Sequence, residues 1–227
     1  MRRRFTVTHV LLPAAVFACV LGGIALTGAD MWLADRVFFD RTTDGWVGAH
    51  SFWANELVHT GGRNLARLIA GAALLVVLAS WIWPRTRPWR RGAVYVVLSI
   101  VLATGIVGAL KHTTNVDCPW DLEQYGGARP YVGLFADRPD ALPRARCFPG
   151  AHSSSGFALM CFYFLLRDRR PRAAYVALAG GVAMGVVFAI AQEARGAHFI
   201  SHDLTSAAIV WYILLALYVW MLRPKAV

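Results

Sequence analysis

Cys147–Arg170 reads CFPGAHSSSGFALMCFYFLLRDRR, a polar mouth, an apolar run and an arginine-rich end within one short stretch. The run Ser153–Leu166 carries no charge, and its flanks differ in kind: Pro149, Gly150 and His152 on one side, Arg167, Arg169 and Arg170 on the other. Basic residues beside a span stay on the cytoplasmic side. The stretch therefore predicts a membrane helix that runs from an outer polar cluster to an inner arginine cluster. It is the shortest span in the chain.

Outward from it, five more runs are each about long enough to cross ~30 Å of hydrocarbon at ~1.5 Å per residue. They are Thr8–Leu26, Leu65–Trp83, Ala93–Leu110, Tyr175–Ala191 and Leu204–Leu222. The composition agrees. The 227 residues are 57% hydrophobic and 16% charged, with a mean hydropathy of +0.48, too apolar and charge-poor for an ordinary soluble domain. The predicted fold is all-α, a six-transmembrane-helix bundle forming one domain over residues 1–227.

Orientation follows from the arginines. Arg2–Arg4, the group from Arg85 to Arg91, the group from Arg167 to Arg172, Arg223 and Lys225 place thirteen basic residues on one side against one acid, Asp168. The other side holds ten basic residues and twelve acids, so the formal charge of +10 divides into +12 inside and −2 outside. Both termini are predicted to be cytoplasmic, in what reads as a bacterial inner membrane. The basicity reads as topology and attraction to anionic headgroups, with no nucleic-acid partner implied. The arginine-rich start lacks a small-residue cleavage site with a soluble domain behind it, which predicts an uncleaved first span.

The loops differ in character. Asp30–Asn64 mixes Trp32, Phe38, Phe39, Trp46, Phe52 and Trp53 with polar residues, the pattern of a periplasmic-side interfacial segment. His50 and His59 read there as interfacial polar residues. Lys111–Ala151 is rich in Pro, Gly, Asp and Arg without a helical period and reads as an irregular loop. Cys118 and Cys147 fall within it, where an oxidising compartment permits a bridge. Cys19 and Cys161 fall inside spans as small apolar fillers.

Three polar clusters collect at the outer span ends: KHTTNVDCPWD from Lys111, CFPGAHSSSG from Cys147 and QEARGAHFISHDLTS from Gln192. In an antiparallel bundle they share one plane. Their composition suits a phosphate. Lys111 and Arg195 neutralise phosphoryl oxygens. Gly150 and Ala151 allow close approach of backbone N–H groups at a helix mouth, with Ser153 as a cap or added hydroxyl. Histidines supply a nucleophile and a general acid near neutral pH. Such transfer needs no metal and no cofactor.

The clusters resemble the tripartite signature of the phosphatidic acid phosphatase type 2 superfamily: Lys, six residues, Arg-Pro; Pro-Ser-Gly-His; and Ser-Arg, five residues, His, three residues, Asp. Here Lys111 is followed after six residues by Cys118-Pro119, then come Pro149-Gly150-Ala151-His152, and last Ala194-Arg195 with His198, His202 and Asp203. The resemblance covers roughly Lys111 to Ser206. It implies that Lys111 and Arg195 bind phosphate, that His152 protonates the leaving oxygen and that a histidine of the third cluster attacks phosphorus. The implied substrate is a lipid phosphate met at the bilayer, with undecaprenyl pyrophosphate, phosphatidylglycerol phosphate, phosphatidate and lipid A phosphate all fitting.

Departures from the signature raise specific questions. Cys118 stands where the family has an arginine, leaving Arg129, Arg144 and Arg146 as candidates to replace that contact. Six residues separate Arg195 from His202 and only two separate it from His198. One extra residue is easier to absorb in a loop than three missing ones, which favours His202 as nucleophile, while the GAHF setting of His198 resembles the family's. Asp203 suits the fixing of an imidazole tautomer but has the wrong offset from both histidines in a regular helix, so Ser206 is the alternative partner. Glu193 reads as an outer-end anchor. Transfer of phosphate to an alcohol, and non-catalytic binding of an anionic headgroup, are the competing functional readings.

Overall fold

Long uncharged runs become long helices, because a backbone in hydrocarbon must satisfy its hydrogen bonds within the segment. The computed structural model describes residues 2–134 and 136–224, and Lys225 lies outside them. Helices α1 (Arg3–Thr27), α3 (Trp53–Ile82), α6 (Pro171–Ala194) and α7 (Ile200–Met221) are long and apolar enough to cross a membrane. So is the stretch Pro84–Asp121, whose α-helical part is α4, Arg90–Thr114. A short α2, Ala29–Leu33, follows α1 after Gly28 turns left-handed at φ 67°.

The predicted fourth span differs from the other five. Helix α5, Ala151–Leu166, is a shorter apolar helix, roughly 24 Å at ~1.5 Å per residue. Five described helices, rather than six, therefore have spanning length. Instead α5 lies deep among its neighbours, with every residue from Ser153 to Phe157 buried. Glycines make this possible. A Cβ on Gly156 would come within 2.8 Å of Gly185 Cα, and one on Gly181 within 2.6 Å of the Met160 nitrogen. Small residues at such crossings let helix backbones touch. Around α5 the core gathers Tyr95, Ile100 and Val107 of α4, Phe157 and Phe164 of α5, and Val210 and Leu214 of α7.

The aromatic segment after α2 does not form one continuous surface-lying helix. It makes an antiparallel hairpin, β1 (Phe39–Asp40) with β2 (Gly45–Trp46), and then enters α3 at Trp53 through a π-helical stretch, Trp53–Gly61. Phe39 and Trp46 pack with Leu122, Tyr125 and Phe199, while Trp32, Phe52 and Trp53 are exposed. The Gly48 amide donates to the Ala194 carbonyl at 2.7 Å, which fixes this cap over the ends of α6 and α7. The loop from Lys111 is irregular as expected, with two short turns, Pro119–Asp121 and Glu123–Tyr125.

Candidate active site

The third cluster is built by a break between two helices. Gly196 turns the chain left-handed at φ 73° after α6, and α7 starts only at Ile200, behind an extended Phe199. His198 thus precedes the helix while Asp203 sits in its first turn. The His198 Nδ1–H donates to Asp203 Oδ1 at 2.8 Å, leaving Nε2 with its lone pair. The offset that counted against Asp203 applies to a continuous helix, and the break at Phe199 removes that condition. Asp203 also accepts the Ser153 hydroxyl at 2.6 Å. Ser206, the alternative partner, donates instead to the Gly150 and His202 carbonyls at 2.8 and 3.1 Å.

His202, favoured by spacing, occupies a different position. Its carbonyl accepts the Gly150 amide at 3.0 Å. Its buried ring stands edge-on to Phe148 and Phe199 at 5.3 and 5.5 Å. Its Nδ1 has no hydrogen-bond partner among the described residues. Among the described residues the Asp203 carboxylate pairs with His198 and not with His202.

Gly150 caps α5 and joins the second cluster to the third. A Cβ there would overlap Asp203 Oδ1 and stand 2.9 Å from both His198 Nδ1 and Ser153 Oγ. No side chain fits without displacing the His198–Asp203 pair. Two residues on, the His152 ring stacks on Phe188 at 4.7 Å and lies 4.5 Å from the His59 ring. His152 Nε2 has no hydrogen-bond partner among the described residues. His59 Nδ1 is 2.9 Å from Gln192 Nε2, and Gln192 Oε1 accepts from Arg195 at 3.2 Å. His59 is therefore part of this constellation. Gly62 was its available signal: a Cβ there would meet the Phe188 ring at 3.0 Å or less, so α3 packs against α6 at His152.

Two cations complete the cluster. Lys111, in the last turn of α4, is half-buried, and its charge acts on Asp203 and His202. Arg195 is half-buried too, and burial pulls its pKa below the usual value, although a guanidinium stays ionised. Neither forms an ion pair among the described residues. Asp30, which spacing did not single out, accepts the Ser201 amide at 3.0 Å and its hydroxyl at 2.6 Å. That tie holds the first turn of α7. Burial raises the Asp30 pKa while the two Ser201 donors oppose the rise. Glu193 is buried beside His198 and Asp30, lining a small cavity.

The first cluster is stapled to the second. Cys118 and Cys147 are joined, with Cα atoms 5.1 Å apart across 29 residues. The Cys147 amide donates to the Val116 carbonyl at 3.0 Å, and the Thr114 hydroxyl donates to the Phe148 carbonyl. Of the three candidate replacement arginines, Arg129 is paired with Asp117 at 2.6 Å and Arg144 holds the His112 carbonyl at 2.6 Å. Arg146 is exposed. Changing both bridging cysteines to serine is expected to cost about 3 kcal/mol, read as a lower unfolding midpoint in detergent. Reductant should reproduce that shift in the unaltered chain and leave the double variant unmoved.

Comparison with known proteins bears on this arrangement. The PAP2 superfamily model matches residues 92–225, which include all three clusters and exclude Asp30 and His59. Among solved structures the fold is similar to that of the first transmembrane PAP2 type phosphatidylglycerolphosphate phosphatase from Bacillus subtilis. The TM-score is 0.53 at 16% identity, covering 93% of this chain and 95% of that one. No curated protein matches the chain.

Proposed function

The chain belongs to the PAP2 superfamily, and on that footing we propose that it is a membrane phosphatase acting on a lipid phosphomonoester or pyrophosphate through a phosphohistidine at His198. The carrying observation is the His198–Asp203 pair wedged against Gly150 at the mouth of α5. His152 sits on the same helix mouth, two residues after Gly150, with its Nε2 unpartnered among the described residues.

In the first step His198 Nε2 attacks phosphorus. The N–P bond forms as the bond to the leaving oxygen breaks, and His152 gives that oxygen a proton. Asp203 holds Nδ1–H and stabilises the cationic imidazole that results. In the second step His152 takes a proton from water, the new oxygen attacks phosphorus, and the N–P electron pair returns to Nε2. Lys111, Arg195 and the N–H groups at the α5 mouth hold the non-bridging oxygens, where negative charge accumulates. Ser153 positions Asp203, and Gln192 aligns Arg195.

The bundle is read as lying with its arginine-rich end in the cytoplasm and its histidine end at the outer face of a bacterial inner membrane, with α5 as a short sixth span. A lipid phosphate then reaches the cations at headgroup depth while its chains stay in the bilayer. The test is phosphate release by the purified protein in detergent with a chelator present, across undecaprenyl pyrophosphate, phosphatidylglycerol phosphate and phosphatidate. Release from at least one lipid, with inhibition by vanadate, is expected. Absence of release from every lipid phosphate, or full activity after combined His152→Ala and His198→Ala substitution, would contradict the reading.

A further inference from the structure

At the arginine-rich end, opposite the histidine cluster, a second polar constellation is buried among the helices. His9, only 8% exposed, lies in a π-helical turn of α1, Val7–Leu11. Its Nε2 is 2.8 Å from both the Tyr163 hydroxyl and an Arg167 guanidinium nitrogen. A guanidinium only donates, so Nε2 accepts and Nδ1 carries the proton, 3.2 Å from the Phe5 carbonyl. Phe5 stacks on His9 at 4.5 Å and receives the Arg167 and Arg223 guanidinium groups on its ring at 4.7 and 4.1 Å. A cavity of about 450 Å³ opens beside this group, bounded by Arg4, Thr8, His9, Tyr163, Arg167 and Trp211.

Positive charge is in excess here. Arg167 Nε makes no hydrogen bond among the described residues. It stands 3.4 Å from Asp168, whose other carboxylate oxygen accepts the Tyr218 hydroxyl at 2.7 Å. A buried ionisable cluster between spanning helices is costly and marks a functional site by default. π-helical turns concentrate at such sites as well. The phosphatase chemistry proposed for the opposite end uses none of these residues. The cavity also has an apolar continuation: Pro13 and Leu178 line it, and Leu12, Val16, Tyr175 and Val176 on the same two helices are exposed.

We propose that this cavity binds the phosphate of an anionic phospholipid, held by Arg4 and Arg167, with the acyl chains lying along the exposed faces of α1 and α6. Basic pockets between spanning helices suit such headgroups. A free phosphate would share the cationic contacts but would have no use for the apolar wall. The site stands independently of the phosphatase reading.

The full chain in detergent is offered equal amounts of phosphatidylglycerol and phosphatidylcholine, and bound lipid per protein is counted by native mass spectrometry. Preferential retention of phosphatidylglycerol is expected, falling about fivefold for each arginine removed in Arg4→Gln and Arg167→Gln, and unaffected by millimolar inorganic phosphate. The Arg4 side chain is exposed, so Arg4→Gln decides the matter if Arg167→Gln fails to fold. Equal retention of the two lipids, or of phosphatidylglycerol by the unaltered chain and Arg4→Gln, overturns the proposal. Displacement by inorganic phosphate overturns the lipid as occupant.

Discussion

His198→Asn is expected to stop phosphate release, with a loss of at least about 10⁴-fold in kcat, while leaving the unfolding midpoint close to that of the unaltered chain. The asparagine amide retains a donor for Asp203, now 2.8 Å from His198 Nδ1, but has no nucleophilic nitrogen. His202→Asn is expected to keep kcat within about tenfold, because the His202 ring meets Phe148, Phe199 and the Cys147 backbone rather than Asp203, so its loss changes packing and leaves the reacting atoms in place. The bond from the Gly150 amide to residue 202 runs through the backbone carbonyl, which either side chain leaves intact. Release assays on both purified variants check the pair, and a dead His202→Asn beside an active His198→Asn would reverse the assignment.

His152→Ala should lower turnover of a lipid phosphate by roughly 10²–10⁴-fold, the range for loss of a positioned general acid. The size of the loss should depend on the leaving group. An alkoxide needs its proton as the P–O bond breaks, whereas a phenolate such as p-nitrophenolate leaves readily without one. With p-nitrophenyl phosphate the variant should therefore fall less than about tenfold in its first step. Single-turnover rates on the two substrates give the comparison. An equal loss on both would remove proton donation from His152 and leave it a packing role against Phe188, on which its ring stacks at 4.7 Å.

Much of the architecture was legible because hydrocarbon imposes simple rules. Apolar runs marked five helices of spanning length, and polar clusters at alternate helix ends identified the segments that meet. The depth of α5 was not legible from its own residues. It follows from Gly156 meeting Gly185 and Gly181 meeting Met160, contacts between stretches that no spacing rule connects. The pairing of His198 with Asp203 was hidden by the assumption of an unbroken helix, and a left-handed Gly196 with an extended Phe199 breaks it. Asp30 escaped notice, and His59 read only as an interfacial polar residue, because each reaches the cluster across more than 130 residues of sequence, to Ser201 and Gln192. Arg129 looked free to bind phosphate until Asp117, buried in the same loop, took its charge.

The central claim is that phosphorus is carried covalently by His198. It is tested most directly by rapid acid-free quench of the unaltered protein during turnover of a lipid labelled in its terminal phosphate, followed by peptide mapping of the alkali-stable phosphoryl group. The account predicts label on the peptide containing residues 198–203, localised by fragmentation to His198 and discharged by acid. Label on His202, or turnover with no phosphohistidine at any quench time in either the unaltered protein or His152→Ala, would contradict it.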